Sequence, residues 1–258
     1  MLSKRQLQFV NSLKQKKNRE ENQLFVAEGG KLVHDLLNSD IEVTHLFATE
    51  SFFNTNTIGG GIEITKITQS ELERLSSLVT PNEVIAICKI PSHQLEIDTL
   101  SEKLVLVLDD IRDPGNMGTI IRIADWYGIE TIICSTNSAD IYNSKVVQST
   151  MGSIARIHVH YIDLDSFFKT IKNKNWGTQT PIYGALLEGE NIYNSKLSQS
   201  GFIVIGNESK GISDKIVAHI TNKIKIPSFS HFTPSKGEAE SLNAAIATAI
   251  ICSEFRRR

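Results

Sequence analysis

Two spacings of apolar residues alternate along the chain. From residue 3 to 17, Leu7, Val10 and Leu13 recur at helical spacing behind Ser3, which can cap, predicting one helix over 3–17. A short strand and turn follow at 25–29, then a helix over 31–37 with Leu32, Val33, Leu36 and Leu37 on one side. Residues 43–48 and 84–88 read as strands, with Gly59-Gly60-Gly61 as a flexible turn between them. These elements describe a small α/β unit.

The pattern then changes. Leu104-Val105-Leu106-Val107-Leu108 is an unbroken apolar run, the signature of a strand buried on both faces of a parallel sheet. Further strands are predicted at 131–134, 157–160, 182–185, 202–205 and 224–227, with helices between several of them. Leu242, Ile246, Ala249 and Ile250 predict a final helix. Strands alternating with helices imply an α/β domain with a mainly parallel sheet. The expected division is a first domain over 1–95, a Pro- and charge-containing linker around 90–103, and a second domain over 104–258.

Composition narrows the class. The 258 residues are 40% hydrophobic and 22% charged, ordinary values for a soluble globular protein. No stretch is long and apolar enough to span a membrane, and Met1-Leu2-Ser3-Lys4 opens no secretory leader, so a cytoplasmic protein is expected. Cys88, Cys134 and Cys252 are isolated, which indicates neither a disulfide framework nor a zinc site. The net charge of −2 does not favour a polyanion. Its distribution does: Lys4, Arg5, Lys14, Lys16, Lys17 and Arg19 all precede the first acid, Glu20, and the chain ends Arg256-Arg257-Arg258. An ordinary solvated helix face explains the same charges.

Three polar segments follow predicted strands, where parallel sheets bind ligands. Asp109-Asp110-Ile111-Arg112-Asp113-Pro114-Gly115-Asn116-Met117-Gly118 runs into a helix that Arg122 interrupts. A buried charge there needs a partner, and Arg122 is placed to lean back over Asn116 or to pair with Asp125. Ile205-Gly206-Asn207-Glu208-Ser209-Lys210-Gly211 is either a tight turn or a site where backbone approaches a ligand. In the third segment, Ile226-Pro227 leads on to Gly237 and Ser241-Leu242-Asn243, with Ser241 expected to cap the last helix and Asn243 to lie in its first turn.

In their order these segments resemble the SpoU/TrmH family of RNA ribose 2′-O-methyltransferases. Asp113-Pro114-x-Asn116-x-Gly118-x-x-x-Arg122 is similar to its first motif and Ile205-Gly206-Asn207-Glu208-x-x-Gly211 to its second. Ile226-Pro227…Gly237-x-x-x-Ser241-Leu242-Asn243 is similar to the third, with about seven extra residues around 228–236. Lys17-x-Arg19…Leu24-Phe25-Val26-x-Glu28-Gly29 resembles the family's N-terminal RNA-binding domain, so the likeness spans nearly the whole chain.

The resemblance implies a C-terminal trefoil-knotted parallel-sheet methyltransferase domain preceded by a small α/β RNA-binding domain. It implies a homodimer, S-adenosyl-L-methionine as methyl donor, ribosomal or transfer RNA as partner, and neither membrane nor metal. Asn116, Arg122, Glu208, Ser241 and Asn243 are the implied catalytic residues, and Gly206, Ile226 and Leu242 the cofactor-binding ones. Lys16, Lys17 and Arg19 would grip RNA. Arg122 is implied to activate the 2′-hydroxyl, although a guanidinium that resists deprotonation suits phosphate orientation and alkoxide stabilisation as well. The rival readings are a non-catalytic RNA-binding or assembly protein that keeps the fold, and a nucleotide-dependent oxidoreductase. The missing Gly-x-Gly-x-x-Gly after a first strand argues against the second.

Overall fold

The computed structural model of the protein describes residues 2–55, 58–174, 180–229 and 241–257. The chain forms two compact units, residues 1–93 with 140–156 and residues 94–139 with 157–258. The second domain expected over 104–258 is therefore interrupted, because residues 140–156 pack with the first unit.

The first unit carries, in chain order, α1 (Lys4–Ser12), α2 (Lys16–Asn22), β1 (Leu24–Glu28), α3 (Gly30–Leu37), β2 (Val43–Ala48), α4 (Glu50–Thr55), β3 (Glu63–Lys66), α5 (Gln69–Leu75) and β4 (Val84–Lys89). Its sheet has the order β1-β4-β2-β3, with only the β2–β3 pair parallel. Strand alternation sends Phe25, Ala27, Leu46, Val84, Ala86 and Cys88 to one core, shared with Leu32, Leu36 and Phe52. Val26, Phe47, Ile85 and Ile87 go to the opposite core, shared with Val10, Leu13, Leu72 and Leu75. Residues 140–156 contribute Val147 and Ile154 to the first of these cores, and Tyr142 sets its ring 4.9 Å from that of Phe25. Glu28 is buried at the end of β1 and accepts hydrogen bonds from Ser76 Oγ and, at 3.0 Å, from the Ser77 amide.

The single helix expected over 3–17 is two helices. Ser3 caps the first as expected, reciprocally with Gln6. The break is fastened by side chains. Asn18 Nδ2 donates to the carbonyl of Ser12 at 2.8 Å, and Arg19 Nη1 donates to those of Leu13 and Lys14 at 2.9 Å each. Side chains of α2 thus satisfy the carbonyls that the end of α1 leaves open.

The second unit runs β5 (Leu104–Asp109), α6 (Pro114–Trp126), β6 (Thr131–Ser135), then, after α7 (Ser144–Thr150) of the first unit, β7 (His158–Ile162), α8 (Leu164–Asn173), β8 (Ile182–Asn191), β9 (Gly201–Gly206), α9 (Asp214–Val217), β10 (Asn222–Lys225) and α10 (Ala244–Arg256). All six strands are parallel, in the order β10-β8-β9-β5-β6-β7. Every residue of β5 is buried, as its apolar run predicts. Val105, Val107, Ile182, Phe202 and Val204 face one core with Phe167, Phe168 and Ile171 of α8. On the other face Tyr183 meets Phe255 of α10, ring centroids 4.9 Å apart, and α10 packs along α6. The expected linker is not free chain, since a 3-10 turn over Ile97–Glu102 places Leu100 in the α8-side core.

Candidate active site

The central strands β9 and β5 are adjacent and parallel, with Asp109 opposite Gly206, so their following loops emerge side by side. After β5, Asp110 adopts a left-handed backbone (φ 59°) and Asp113 caps α6, accepting from the Asn116 amide at 2.8 Å, with Pro114 at the first helical position. Asn116 is thereby held in the first turn of α6.

After β9 the chain folds back tightly. The Asn207 amide donates to the Gly211 carbonyl at 3.0 Å and the Gly211 amide returns a bond to Asn207 at 2.8 Å. Gly211 has φ +68°, where a side chain is strained, and a Cβ added at Gly206 would lie 2.3 Å from the Gly211 carbonyl carbon and the Ile212 nitrogen. Both glycines are thus required by the loop itself. At the loop's far end, Ser213 donates from its amide (2.8 Å) and its hydroxyl (2.7 Å) to Asp109 Oδ2, a buried carboxylate.

The third segment corrects the capping expectation. Asn243, not Ser241, is the N-cap of α10: its Oδ1 accepts from the amides of Ala245 (3.0 Å) and Ile246 (3.2 Å). Leu242 consequently precedes the helix, and its side chain is 48% exposed. Of the extra residues 228–236, only Ser228 and Phe229 fall among the described residues; Gly237 lies outside them.

The three segments meet through one directed chain of hydrogen bonds. Because Asn243 Oδ1 is committed to helix amides, its Nδ2 is turned outward and donates to Asn116 Oδ1 at 2.9 Å. Asn116 Nδ2 then donates to Glu208 Oε1 at 2.5 Å. Each amide orientation follows from the bond before it, which removes the usual ambiguity over amide flips. Glu208, half-buried, makes no other hydrogen bond among the described residues.

Not every expected residue joins this chain. Ser241 is exposed, and Ile226 is half-buried just after β10. Arg122 is also exposed and makes no hydrogen bond or ion pair among the described residues, which answers the expected buried charge and the expected Asp125 pair. It lies six positions after Asn116 on α6, roughly 240° around the helix, so the two side chains start from different faces. Lys16 and Lys17 are exposed and pair along α2 with Glu20 (3.6 Å) and Glu21 (3.8 Å). Arg19 is 3% exposed and forms an ion pair with Asp140, so it is a structural cation and presents no charge to RNA.

Sequence reasoning passed over Asp109, Asp110 and Asn207 as fasteners of these loops. Their signal was the polar run directly after two buried strands. All three cysteines are buried, and burial pushes the thiols of Cys88 and Cys252 up to about 12, so neither supplies a thiolate.

Comparison with known proteins bears on this geometry. Residues 103–253 match the SpoU rRNA Methylase family, and residues 4–86 match the MRM3-like substrate binding domain. A 23S rRNA (guanosine(2553)-2′-O)-methyltransferase of Bacillus subtilis is 28% identical over 242 residues, covering 93% of this chain and 92% of the relative. A solved structure from Porphyromonas gingivalis, of the TrmH family, superposes with a TM-score of 0.86 at 35% identity, covering 100% of this chain and 99% of that one. An AdoMet-bound rRNA methyltransferase from Sinorhizobium meliloti superposes at 0.79 with 26% identity, covering 100% and 96%.

Proposed function

Because the chain belongs to the SpoU rRNA Methylase family, we propose that it transfers a methyl group from S-adenosyl-L-methionine to the 2′-hydroxyl of a ribose in structured RNA, ribosomal RNA ahead of transfer RNA. The names of its relatives support the reaction and the donor. The observation that carries the reading is the Asn243–Asn116–Glu208 chain, which fixes an acceptor oxygen where the ends of adjacent parallel strands converge.

The donor supplies a methyl group already activated on a sulfonium. The protein must therefore align the hydroxyl and handle its proton, not generate a strong nucleophile. Glu208 is suited to accept the ribose hydroxyl's hydrogen bond, with Asn116 holding its carboxylate in place and Asn243 holding Asn116. We assign Ser241, two residues before Asn243 in sequence, to the polar wall of the same pocket. Arg122 orients a phosphate or stabilises the developing alkoxide, work for a cation that keeps its proton. The open side chain of Leu242 beside the polar chain fits a cofactor with an apolar adenine face. Leu242, Ile226 and the backbone at Gly206 would hold it.

We assign RNA capture to the first unit, with Lys16 and Lys17 as phosphate contacts and Arg19 withdrawn from that role. We also infer a homodimer. Trp126 on α6 is 84% exposed and Ile246 on α10 is 54% exposed, apolar surface that a second copy would cover. The trefoil knot belongs to the same reading. No helix among the described residues is long and apolar enough to cross a membrane, and we place the protein in the cytoplasm.

The test is mass spectrometry of nucleosides from ribosomal and transfer RNA, in cells with and without the gene and after incubation of unmodified RNA with the protein and S-adenosyl-L-methionine. A 2′-O-methylnucleoside that depends on the protein is expected. Methylation of a base, or none in either RNA, would overturn the assignment.

A further inference from the structure

Resting on the proposed site, we infer that Asn207 is a positioning residue for methyl transfer, acting through Glu208. Asn207 has four polar groups and all of them are committed. Its amide and carbonyl both pair with Gly211. Its Oδ1 accepts from the amides of Ser209 (2.9 Å) and Lys210 (3.1 Å), closing the turn around Glu208. Its Nδ2 donates to the carbonyl of Asp110 at 2.9 Å, across to the loop that follows β5.

That last bond is the informative one. The first three build a turn, and any loop with a good Asx turn has their like. The Asp110 bond instead sets where the turn lies against the neighbouring loop, and that loop leads directly to Asn116. Asp110 is prepared for it: its left-handed backbone turns the carbonyl out of the strand direction, and its own amide is held by Ser135 Oγ at 2.8 Å, from the end of β6. A line of fixed groups thus runs Ser135, Asp110, Asn207, with Glu208 the next residue in the chain. The other end of the turn is secured separately by Ser213 on Asp109. With both ends held, Glu208 has little backbone freedom left, and its carboxylate meets Asn116 without searching.

An isosteric change separates the turn from its attachment. In Asn207→Asp, Oδ1 still accepts from Ser209 and Lys210, so the turn survives. The group facing the Asp110 carbonyl becomes an oxygen, and a 2.9 Å attraction becomes a repulsion between acceptors. Asn207→Ser is the second variant. Its hydroxyl can close a similar turn but cannot span to Asp110, and it introduces no charge.

The experiment is a double-mutant cycle with Glu208→Gln, read by single-turnover methyl transfer from labelled S-adenosyl-L-methionine to unmodified ribosomal RNA. The side-chain amide resonances of Asn116 are followed by NMR in parallel. Asn207→Asp should slow transfer by about ten- to a hundredfold, the scale of a misplacement of roughly 1 Å. In the Glu208→Gln background the same change should cost less than about twofold, since the residue it acts through is already disabled. The Asn116 resonances should shift similarly in Asn207→Asp, Asn207→Ser and Glu208→Gln. Equal losses in both backgrounds, a wild-type rate in Asn207→Asp, or unmoved Asn116 resonances would overturn the inference and leave the proposed site standing. A wild-type rate in Glu208→Gln would instead overturn the site, and the inference with it.

Discussion

In the second unit, Asn116, Glu208 and Asn243 are separated by 92 and 127 residues from their bonding partners along the chain, yet they meet in one line of hydrogen bonds. In the first unit, Lys16, Lys17 and Arg19 are sequence neighbours and part company. The lysines stay in solvent, while Arg19 turns inward to the carbonyls of Leu13 and Lys14 and to Asp140. The parallel sheet explains the first result, because adjacent strands must deliver their loops to the same edge. Helix termini explain the second. A break between α1 and α2 leaves carbonyls that need donors, and a nearby guanidinium with several N–H groups meets that need better than water can in a buried place.

The contrast breaks most visibly at the arginines. Arg122→Ala should reduce single-turnover methyl transfer by on the order of 10²–10⁴-fold, the range for losing an oxyanion or acid–base group. Because Arg122 is exposed and unpaired among the described residues, the melting temperature should stay within about 2 °C of wild type. Arg122→Lys should recover little, since an ammonium lacks the planar fork. Near-normal turnover would remove Arg122 from the chemistry and leave the Asn243–Asn116–Glu208 chain to carry it.

Arg19→Met should do the reverse. Removing one partner of a buried ion pair strands Asp140 and costs about 3–5 kcal/mol by denaturant unfolding. Adding Asp140→Leu should restore a large part of that loss, because the stranded charge goes with it. If Arg19→Met were as stable as wild type and lost only RNA affinity, the assignment of Arg19 as a structural cation would be wrong.

Gly206→Ala probes the loop between these extremes. The added methyl must push on the Gly211–Ile212 backbone at 2.3 Å, which costs about 1–3 kcal/mol and displaces Glu208. Calorimetry should show weakened S-adenosyl-L-methionine binding, with a lesser loss of stability than in Arg19→Met. Unchanged affinity would place the cofactor away from this loop.

What could be read beforehand follows the same division. The buried strand β5, a mainly parallel sheet and the polar segments at its edge were legible because apolar runs and motif spacing are local properties. The cap of α10 was misplaced by two residues, since Ser241 and Asn243 are both good caps and sequence alone does not show that Asn243 takes the Ala245 and Ile246 amides while also reaching Asn116. β3 was missed because its residues Glu63 to Lys66 are mostly exposed and carry no apolar alternation. The burial of Arg19 was invisible because Asp140 lies 121 residues away, in a segment interrupting the second unit. The exposure of Arg122 was misjudged because its helix is apolar on the faces toward the sheet and α10, while Thr119, Arg122 and Trp126 share the open stripe.

The smallest expected effect belongs to the charges that remained where the sequence put them. Lys16 and Lys17 are exposed, and their pairs with Glu20 and Glu21 place lysine ahead of the acid, the weaker order against the helix dipole. Such pairs contribute no more than about 0.5 kcal/mol and are screened by salt, so they compete poorly with a phosphate. Replacing both lysines by glutamine should leave stability within about 0.5 kcal/mol of wild type. Their worth should appear in RNA binding. Every phosphate left without its lysine takes roughly 0.7–0.9 from the slope of log affinity against log salt, so the double variant should flatten that slope by about one to two units. Arg19→Met, measured under conditions where it is folded, should not change the slope, because its charge already belongs to Asp140. If the lysine variant kept the wild-type slope, α2 would be an ordinary solvated helix and the cations on α1, Lys4 and Arg5 among them, would be the next to remove.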